Sequence, residues 1–231
     1  MEQLLFGLLA AGLGAALAVQ LWRGRGAGRR RSATRARFFD ACAGLLGDSR
    51  ITIAPTGFPR LGGRYRGLPV DLQAVPDTLT FRKLPALWVL VTLPGPLPVR
   101  STFDLMIRPT GVEPFSNFNR LPDQIDAPEG FPPDCAVRTD APLALPDEAL
   151  LRRHLGLFAA ARVKELVISP KGLRLVWLAE EAHRGRYLLY RDAEMGQTPF
   201  PPEQVMPLLD ALIALRADIL NAELSEERLS A

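Results

Sequence analysis

Residues 87–93, Leu-Trp-Val-Leu-Val-Thr-Leu, form an almost continuous apolar run. A run of this length and composition predicts a strand at the centre of a sheet, where both of its faces are buried. Alternating apolar patterns predict further strands before and after it. These strands are expected over 63–74, with a turn at 67–69, and over 79–81, 102–107, 135–139, 166–168, 173–178 and 186–190.

Two short segments outside this central run carry the same turn pattern. Residues 51–58 read ITIAPTGF and residues 166–173 read LVISPKGL. In each, a proline suits the second position of a type I turn, and a glycine suits the left-handed position that closes a three-residue hairpin. The structural turn residues are Pro55, Gly57, Pro170 and Gly172. The match indicates either an old duplication of halves at about 35–110 and 135–222, or two independent uses of a favourable turn.

Three helices are predicted around these strands, from apolar residues at helical spacing. They cover about 36–46, 146–160 and 205–221, and the last carries the stripe Val205, Leu208, Leu212, Leu215 and Ile219. Strands and helices do not alternate along the chain, so a parallel α/β sheet is excluded. The expected fold class is α+β, with mainly antiparallel strands and three soluble helices.

The N-terminal segment predicts one more helix, of a different kind. Gln3 to Trp22 contains no charged residue, and twenty helical residues span ~30 Å, the thickness of the bilayer hydrocarbon core. A transmembrane anchor over 1–22 is therefore expected. A cleaved signal peptide, with a small-x-small site at Ala16–Ala18, and a buried core helix are the alternatives.

Charge is unevenly divided along the chain. Residues 1–37 carry seven arginines and one acid, a net +6, whereas residues 38–231 carry 21 basic and 24 acidic residues, a net −3. A mildly acidic domain argues against nucleic acid as a partner, because phosphate neutralisation supplies most of that affinity. By the positive-inside rule, the basic linker at 23–34 is expected on the cytoplasmic side of the membrane, which would be a bacterial-type inner membrane. The arginines expected to contact the lipid surface are Arg23, Arg25, Arg29, Arg30 and Arg31.

These predictions define the domain organisation: an anchor over 1–22, a linker over 23–34, a soluble α+β domain over 35–222 and a charged tail over 223–231. The expected partners are the lipid bilayer and an unknown membrane or cytoplasmic protein. Small residues at four-residue spacing, such as Gly7 and Ala11, also allow a homodimer through the membrane helix.

Residues with catalytic or metal-binding patterns are scarce. No nucleophile elbow, P-loop, dinucleotide-binding motif or zinc-protease motif occurs. His154 is expected on a solvated helix face, and Glu180, Glu181 and His183 lack the paired spacing of a metal site. Lone cysteines, such as Cys42, behave as small apolar residues. No catalytic residue, metal or cofactor is predicted.

A proline-rich loop over 109–133 offers the best candidate for an interaction surface, because it combines aromatic and amide side chains. Its candidate residues are Phe115, Asn117, Phe118, Asn119 and Phe131. Packing of these phenylalanines against the domain is the alternative. The expected function is a non-catalytic accessory or interaction domain on a single-pass membrane protein. A tethered enzyme with a site of scattered carboxylates, and an exported domain on the outer face, are the competing hypotheses.

Overall fold

A computed structural model describes residues 2–78, 84–190 and 193–230. The strand predicted over 79–81 lies outside these residues. The dominant feature is a nine-stranded sheet in the order β1-β2-β3-β4-β9-β8-β5-β7-β6. The strands are β1 Gly47–Ile53, β2 Pro59–Tyr65, β3 Leu68–Asp77, β4 Ala86–Pro94, β5 Phe103–Ile107, β6 Asp123–Ile125, β7 Cys135–Thr139, β8 Val163–Ser169 and β9 Gly172–Glu181.

Every neighbouring pair in this sheet is antiparallel. Strands β1 to β4 form a meander, and the hairpin β8–β9 then fills the space between β4 and β5. The apolar run of 87–93 forms most of β4, which pairs with β3 on one side and β9 on the other. The central position predicted for this run is confirmed.

One face of the sheet is covered mainly by the long C-terminal helix. The helices of the described chain are α1 Glu2–Ala36, α2 Asp40–Ala43, α3 Glu148–Arg153, α4 Arg184–Tyr190 and α5 Pro202–Ser230. Alternate residues of the central strands, such as Leu87, Val89 and Val91 of β4, belong to the same buried cluster as the α5 stripe. All five stripe residues predicted from the spacing are buried. We call this side of the sheet the covered face.

An aromatic cluster closes one end of the covered face. Phe38 stacks on Phe200 with ring centroids 5.5 Å apart, and it meets Phe58 edge-on at 6.2 Å. The predicted helix over 36–46 is reduced to the single turn of α2, flanked by these buried rings. The helix predicted over 146–160 is likewise shorter, because α3 ends at Arg153 and a 3-10 turn follows over Leu155–Phe158.

The segment predicted as a strand over 186–190 is the helix α4 instead. The ladder with β4 ends where the Ala182 N–H donates to the Pro85 carbonyl, at 2.8 Å. His183 then caps the new helix, since its Nδ1 accepts from the Arg186 N–H at 3.4 Å. A side-chain acceptor at this position stabilises a helix start, which the alternation of residues 186–190 does not reveal.

The N-terminal prediction also needs correction. Helix α1 is continuous over 35 residues, so it includes the stretch 23–34 that was expected to be a linker. Within the described parts of the chain, none of the helices combines the length and apolar character needed to cross a bilayer. The fold is therefore a mostly antiparallel sheet with a long C-terminal helix, and the prediction of a transmembrane helix was wrong.

The arginines assigned to lipid lie on this same helix. Arg29 and Arg30 are exposed, whereas Arg31 Nη1 lies 3.8 Å from Glu194 Oε1. The side chains of the other two, at 23 and 25, lie outside the described residues. Farther along the helix, Arg35 Nε donates to the Met195 carbonyl at 3.3 Å, so the end of α1 is tied to the domain.

The two Pro-x-Gly hairpins occupy different places in the sheet. The first joins β1 to β2 at an edge, and the second joins β8 to β9 near the centre. Gly57 and Gly172 have φ angles of +80° and +131°, in the region that favours glycine. In the first proposed half the chain adds the three strands β3, β4 and β5 after β2, whereas in the second it adds two helices after β9. The hypothesis of two related halves stays a prediction.

Candidate functional site

The face of the sheet opposite the covered face, which we call the open face, carries a row of polar side chains. Asp71 of β3 is paired with Thr92 of β4, and Thr92 is paired with Arg174 of β9. Arg174 is in turn paired with Val167 of β8, and Val167 with Asp104 of β5. Because directly paired residues project to the same face, four polar side chains from four strands lie in one line.

A pair of buried carboxyl groups lies at the end of this row. Glu165 of β8 is paired with Met106, so it is the diagonal neighbour of Asp104 on the same face. Asp104 is 2% exposed and Glu165 is 1% exposed. The Ser116 hydroxyl donates to Glu165 Oε1. The Asp104 and Glu165 carboxyl groups hydrogen-bond to one another, and Asp104 Oδ1 and Glu165 Oε2 have no hydrogen-bond partner outside this pair in the described structure.

Burial raises the pKa of both carboxyl groups. Burial and then the neighbouring Glu165 carboxylate raise the pKa of Asp104 to about 9, against the opposing effect of Arg174. Burial also raises the pKa of Glu165, to about 7, although the Ser116 hydroxyl and Arg174 favour its ionised form. Two close carboxyls in a low-dielectric site cannot both ionise easily, so this pair retains a proton at neutral pH.

Cations lie beside the carboxyl pair. Arg174 Nε donates to the Thr92 hydroxyl at 3.3 Å, which fixes the guanidinium on the open face. Arg60 Nε lies 2.6 Å from Asp71 Oδ1, so these two charges compensate one another. Lys171 is exposed on the β8–β9 turn at the rim. The open face therefore brings both signs of charge together within one site.

A loop over 108–122 covers part of the open face and forms one wall of the site. Its anchor is the buried pair Lys164 and Glu113, whose Nζ and Oε1 atoms are 3.2 Å apart. The Thr110 hydroxyl also donates to Glu113 Oε1, at 2.6 Å. Lys164 Nζ donates in addition to the carbonyls of Ile107 and Arg108, at 2.8 and 2.6 Å. These bonds hold Ser116 over the carboxyl pair.

Two of the phenylalanines proposed for an interaction surface, Phe115 and Phe118, are instead buried between this loop and the sheet. Phe115 packs on Trp88 with ring centroids 4.9 Å apart, and both Phe115 and Phe118 are buried. The guanidinium of Arg138 lies 5.8 Å from the Phe118 ring and donates to the Leu121 carbonyl at 2.5 Å. In this arrangement the two rings attach the loop to the sheet.

The other three residues of that proposed surface are spread over different environments. Asn117 lines the cavity described below, and the Asn119 side chain donates to the Gly111 carbonyl. Phe131 packs against Phe158, with ring centroids 5.6 Å apart, at the margin of the covered face. The five residues therefore do not form one exposed aromatic patch.

Between this loop, the polar row and the β8–β9 turn lies an open cavity of about 690 Å³. We call it the open-face groove. Its size falls within the range of small-molecule sites, about 300–1,000 Å³. Asp104, Glu165 and Arg174 form part of its lining, together with Ser116 and Lys171.

The remaining sequence candidates are not part of this groove. His154 Nε2 lies 3.0 Å from Asp218 Oδ2, so this ring is paired and not on a solvated face. Glu180 accepts the Gly196 N–H at 2.8 Å, and His183 caps α4. Burial raises the pKa of the Cys42 thiol to about 12, as expected for a structural cysteine. Among the described residues, no cluster of His, Cys, Asp and Glu could hold a metal ion.

Sequence reasoning missed Asp104 and Glu165. Each is a single acid within an apolar strand, in the segments TFDLMI and VKELVI. An acid in such a place is a usable signal, because carboxylates are rarely buried without a partner or a function. The pairing of the two acids depends on the β5–β8 register, which joins residues about 60 positions apart in the chain.

Comparison with known proteins adds no family to this description. No protein-family model matches the chain, and neither a curated protein nor a solved structure matches it.

Proposed function

We propose that the protein binds a small polar molecule in the open-face groove and recognises it with the carboxyl pair Asp104 and Glu165. The observation that carries this proposal is that Asp104 Oδ1 and Glu165 Oε2 are buried in the groove lining and have no hydrogen-bond partner outside the carboxyl pair. A buried polar atom with an incomplete set of hydrogen bonds costs about 1–3 kcal/mol. A ligand that donates to these oxygens recovers this free energy, which gives the site an intrinsic affinity for donors.

Rigid elements hold the groove, as a binding site requires. Asp104, Glu165 and Arg174 lie on three adjacent strands near the centre of the sheet. The Lys164–Glu113 pair anchors the loop that forms the wall. This proposal retains a non-catalytic domain, but it replaces an aromatic interaction surface with a polar groove as its functional region.

Acid–base catalysis is the second candidate function. It is favoured by the raised pKa of Glu165, about 7, since a proton donor or acceptor works best when its pKa is near the working pH. An enzyme with a site of scattered carboxylates is a competing hypothesis from the sequence. In this form of it, Asp104 and Glu165 are the acid–base pair. Turnover of a bound ligand that is lost in both Asp104→Asn and Glu165→Gln would favour catalysis over binding.

A ligand screen on the full chain tests the binding proposal. Metabolite-sized acids, polyols and amines are added, and the melting temperature and the backbone amide NMR shifts are followed. We expect some of these compounds to raise the melting temperature and to move the amides of Ser116, Asp104 and Glu165. Compounds that bind only elsewhere, or no binding at all, would contradict the proposal.

Asp104→Leu provides the matched variant for this screen. It keeps the approximate size of the side chain but removes both carboxyl oxygens, so we expect at least a tenfold loss of affinity for the ligands found. The control is Asp126→Leu, the same chemical change at an exposed position outside the groove. Equal affinities for the two variants would contradict the role of the carboxyl pair.

A further inference from the structure

We propose that the ligand of the open-face groove is a small organic acid that also carries hydroxyl groups. Its carboxylate would lie on Arg174, and one of its hydroxyls would donate to the Asp104–Glu165 pair. This inference rests on the proposed function, because it assigns a chemical class to the ligand of the same groove.

The first argument is the free end of Arg174. Its Nε is bound to the Thr92 hydroxyl at 3.3 Å, which orients the guanidinium. Within the described structure, no carboxylate lies within ion-pair distance of its terminal nitrogens. A guanidinium whose orientation is fixed through Nε still has four N–H groups on its terminal nitrogens, so it is suited to bind a carboxylate in a bidentate way.

The second argument is the hydrogen-bonding capacity of the neighbouring pair. Asp104 Oδ1 and Glu165 Oε2 have no partner outside the pair, and a ligand carboxylate could accept only from the oxygen that carries the shared proton. A hydroxyl group can donate to either oxygen, or accept from whichever carboxyl keeps the proton. The pair therefore selects hydroxyl groups without requiring a fixed protonation state.

The distance between these two elements sets the size of the ligand. Arg174 of β9 and Asp104 of β5 are separated by one strand, β8, so their backbones are two strand spacings apart, about 10 Å. Both side chains extend into the groove from the same face. A ligand about as wide as a sugar ring can therefore reach both elements at once.

The third argument is the sign of the charge that remains available. Asp71 compensates Arg60, whereas Lys171 on the exposed turn has no carboxylate partner in the described structure. Lys171 and Arg174 thus provide two cations in the groove lining, and the exposed Asp140, which accepts from Thr102, provides one anion. The two cations favour the carboxylate of a ligand placed beside them and repel an amine there.

Three probes of matched ring size separate these contributions. Glucuronate carries a carboxylate and hydroxyls, glucose carries the hydroxyls alone, and cyclohexanecarboxylate carries the carboxylate alone. Titration of the full chain at pH 7 by NMR measures each dissociation constant from the groove amides. We expect glucuronate to bind at least tenfold more tightly than either of the other two probes.

Arg174→Gln should remove this preference, so that glucuronate and glucose bind within threefold of each other. The control is Arg50→Gln, an exposed arginine of the edge strand β1, which should keep the tenfold difference. If Arg174→Gln fails to fold, Arg174→Lys keeps the charge but loses the bidentate geometry. Its preference for glucuronate over glucose should be smaller than that of the native protein but larger than that of Arg174→Gln.

Glucose bound as tightly as glucuronate, or equal behaviour of Arg174→Gln and Arg50→Gln, would overturn the assignment of the ligand class. A neutral or amine compound that occupies the groove when glucuronate does not would overturn the class but leave the proposed function intact. If no compound of the full screen moves the groove amides, the proposed function itself fails.

Discussion

The covered face and the open face are built from the same strands but differ in what their side chains do. On β4, Leu87, Val89 and Val91 pack under α5, whereas Thr92 on the other face holds Arg174. The covered face is a continuous apolar core, and the open face has a small apolar cluster beside a polar row. One strand sequence with a period of two thus encodes both a core and a candidate binding site.

Among the changes that test this comparison, Leu212→Asp should lower the free energy of unfolding most, because it places a charge in the centre of the covered face. Leu212 is fully buried in the α5 stripe. An unpaired charge there should destabilise the domain by more than about 4 kcal/mol, or prevent folding. Urea unfolding monitored by circular dichroism measures the loss. A native-like midpoint would mean that α5 is not part of the core.

The two hairpin glycines should differ, although their local sequences are alike. A Cβ on Gly172 would overlap the Leu93 carbonyl oxygen and lie 3.1 Å from Gly95 N, where the β4–β5 connection crosses the hairpin. A Cβ on Gly57 would have only Ser32 Oγ nearby, at 3.7 Å. Gly57→Val should therefore cost about 1–2 kcal/mol from backbone strain alone, and Gly172→Val distinctly more.

Thr56→Ala and Lys171→Ala are the controls for these two variants, since each changes a neighbouring turn position without adding a Cβ. Both should unfold at nearly the native urea concentration. Equal losses for Gly57→Val and Gly172→Val would contradict the close crossing at the second hairpin. Small effects at both glycines would contradict the left-handed turns themselves.

Removal of the buried acid at Asp104 should have a smaller effect, and one that depends on pH. The raised pKa values of Asp104 and Glu165 mean that the folded state binds more protons than the unfolded state between about pH 4 and pH 9. The free energy of unfolding therefore falls as pH rises through this window, by about 1.4 kcal/mol per pH unit for each extra proton. Asp104→Asn should flatten this slope and be more stable than the native protein at pH 8.

The comparison variant for this measurement is Asp126→Asn, which should keep the native pH dependence because Asp126 is exposed. Urea unfolding at pH 5, 6.5 and 8 gives the slopes of all three proteins. A native slope in Asp104→Asn would mean that this carboxyl is ionised at neutral pH in the folded state.

The covered face could be predicted from the sequence to a large extent. The apolar run at 87–93 and the stripe of α5 follow the periods of a strand and a helix, and both were predicted correctly. Such patterns are local, because the spacing of apolar residues within a single strand or helix is enough to show which of its faces is buried. The helix α4 was not predicted, because residues 186–190 alternate as in a strand. The helix start depends on the His183 cap, which this alternation does not show.

The open face could not be predicted in the same way. Its functional candidates depend on strand register, since Asp104, Glu165 and Arg174 meet only when β5, β8 and β9 are aligned. The order of strands is also not sequential there, because β8 and β9 enter between β4 and β5. The loop phenylalanines were proposed as a surface, but whether a ring at 115 is exposed depends on Trp88 of β4.

The most direct test of this account is the titration of the carboxyl pair. Carbon NMR of the side-chain carboxyl groups, with Asp104→Asn and Glu165→Gln for assignment, measures the ionisation of each group between pH 4 and pH 10. We expect the pair to hold a proton at pH 7 and to lose it only above neutral pH, because burial raises the pKa of both carboxyl groups. If both groups are ionised at pH 5, the open face holds no proton-sharing pair and the proposed site loses its basis.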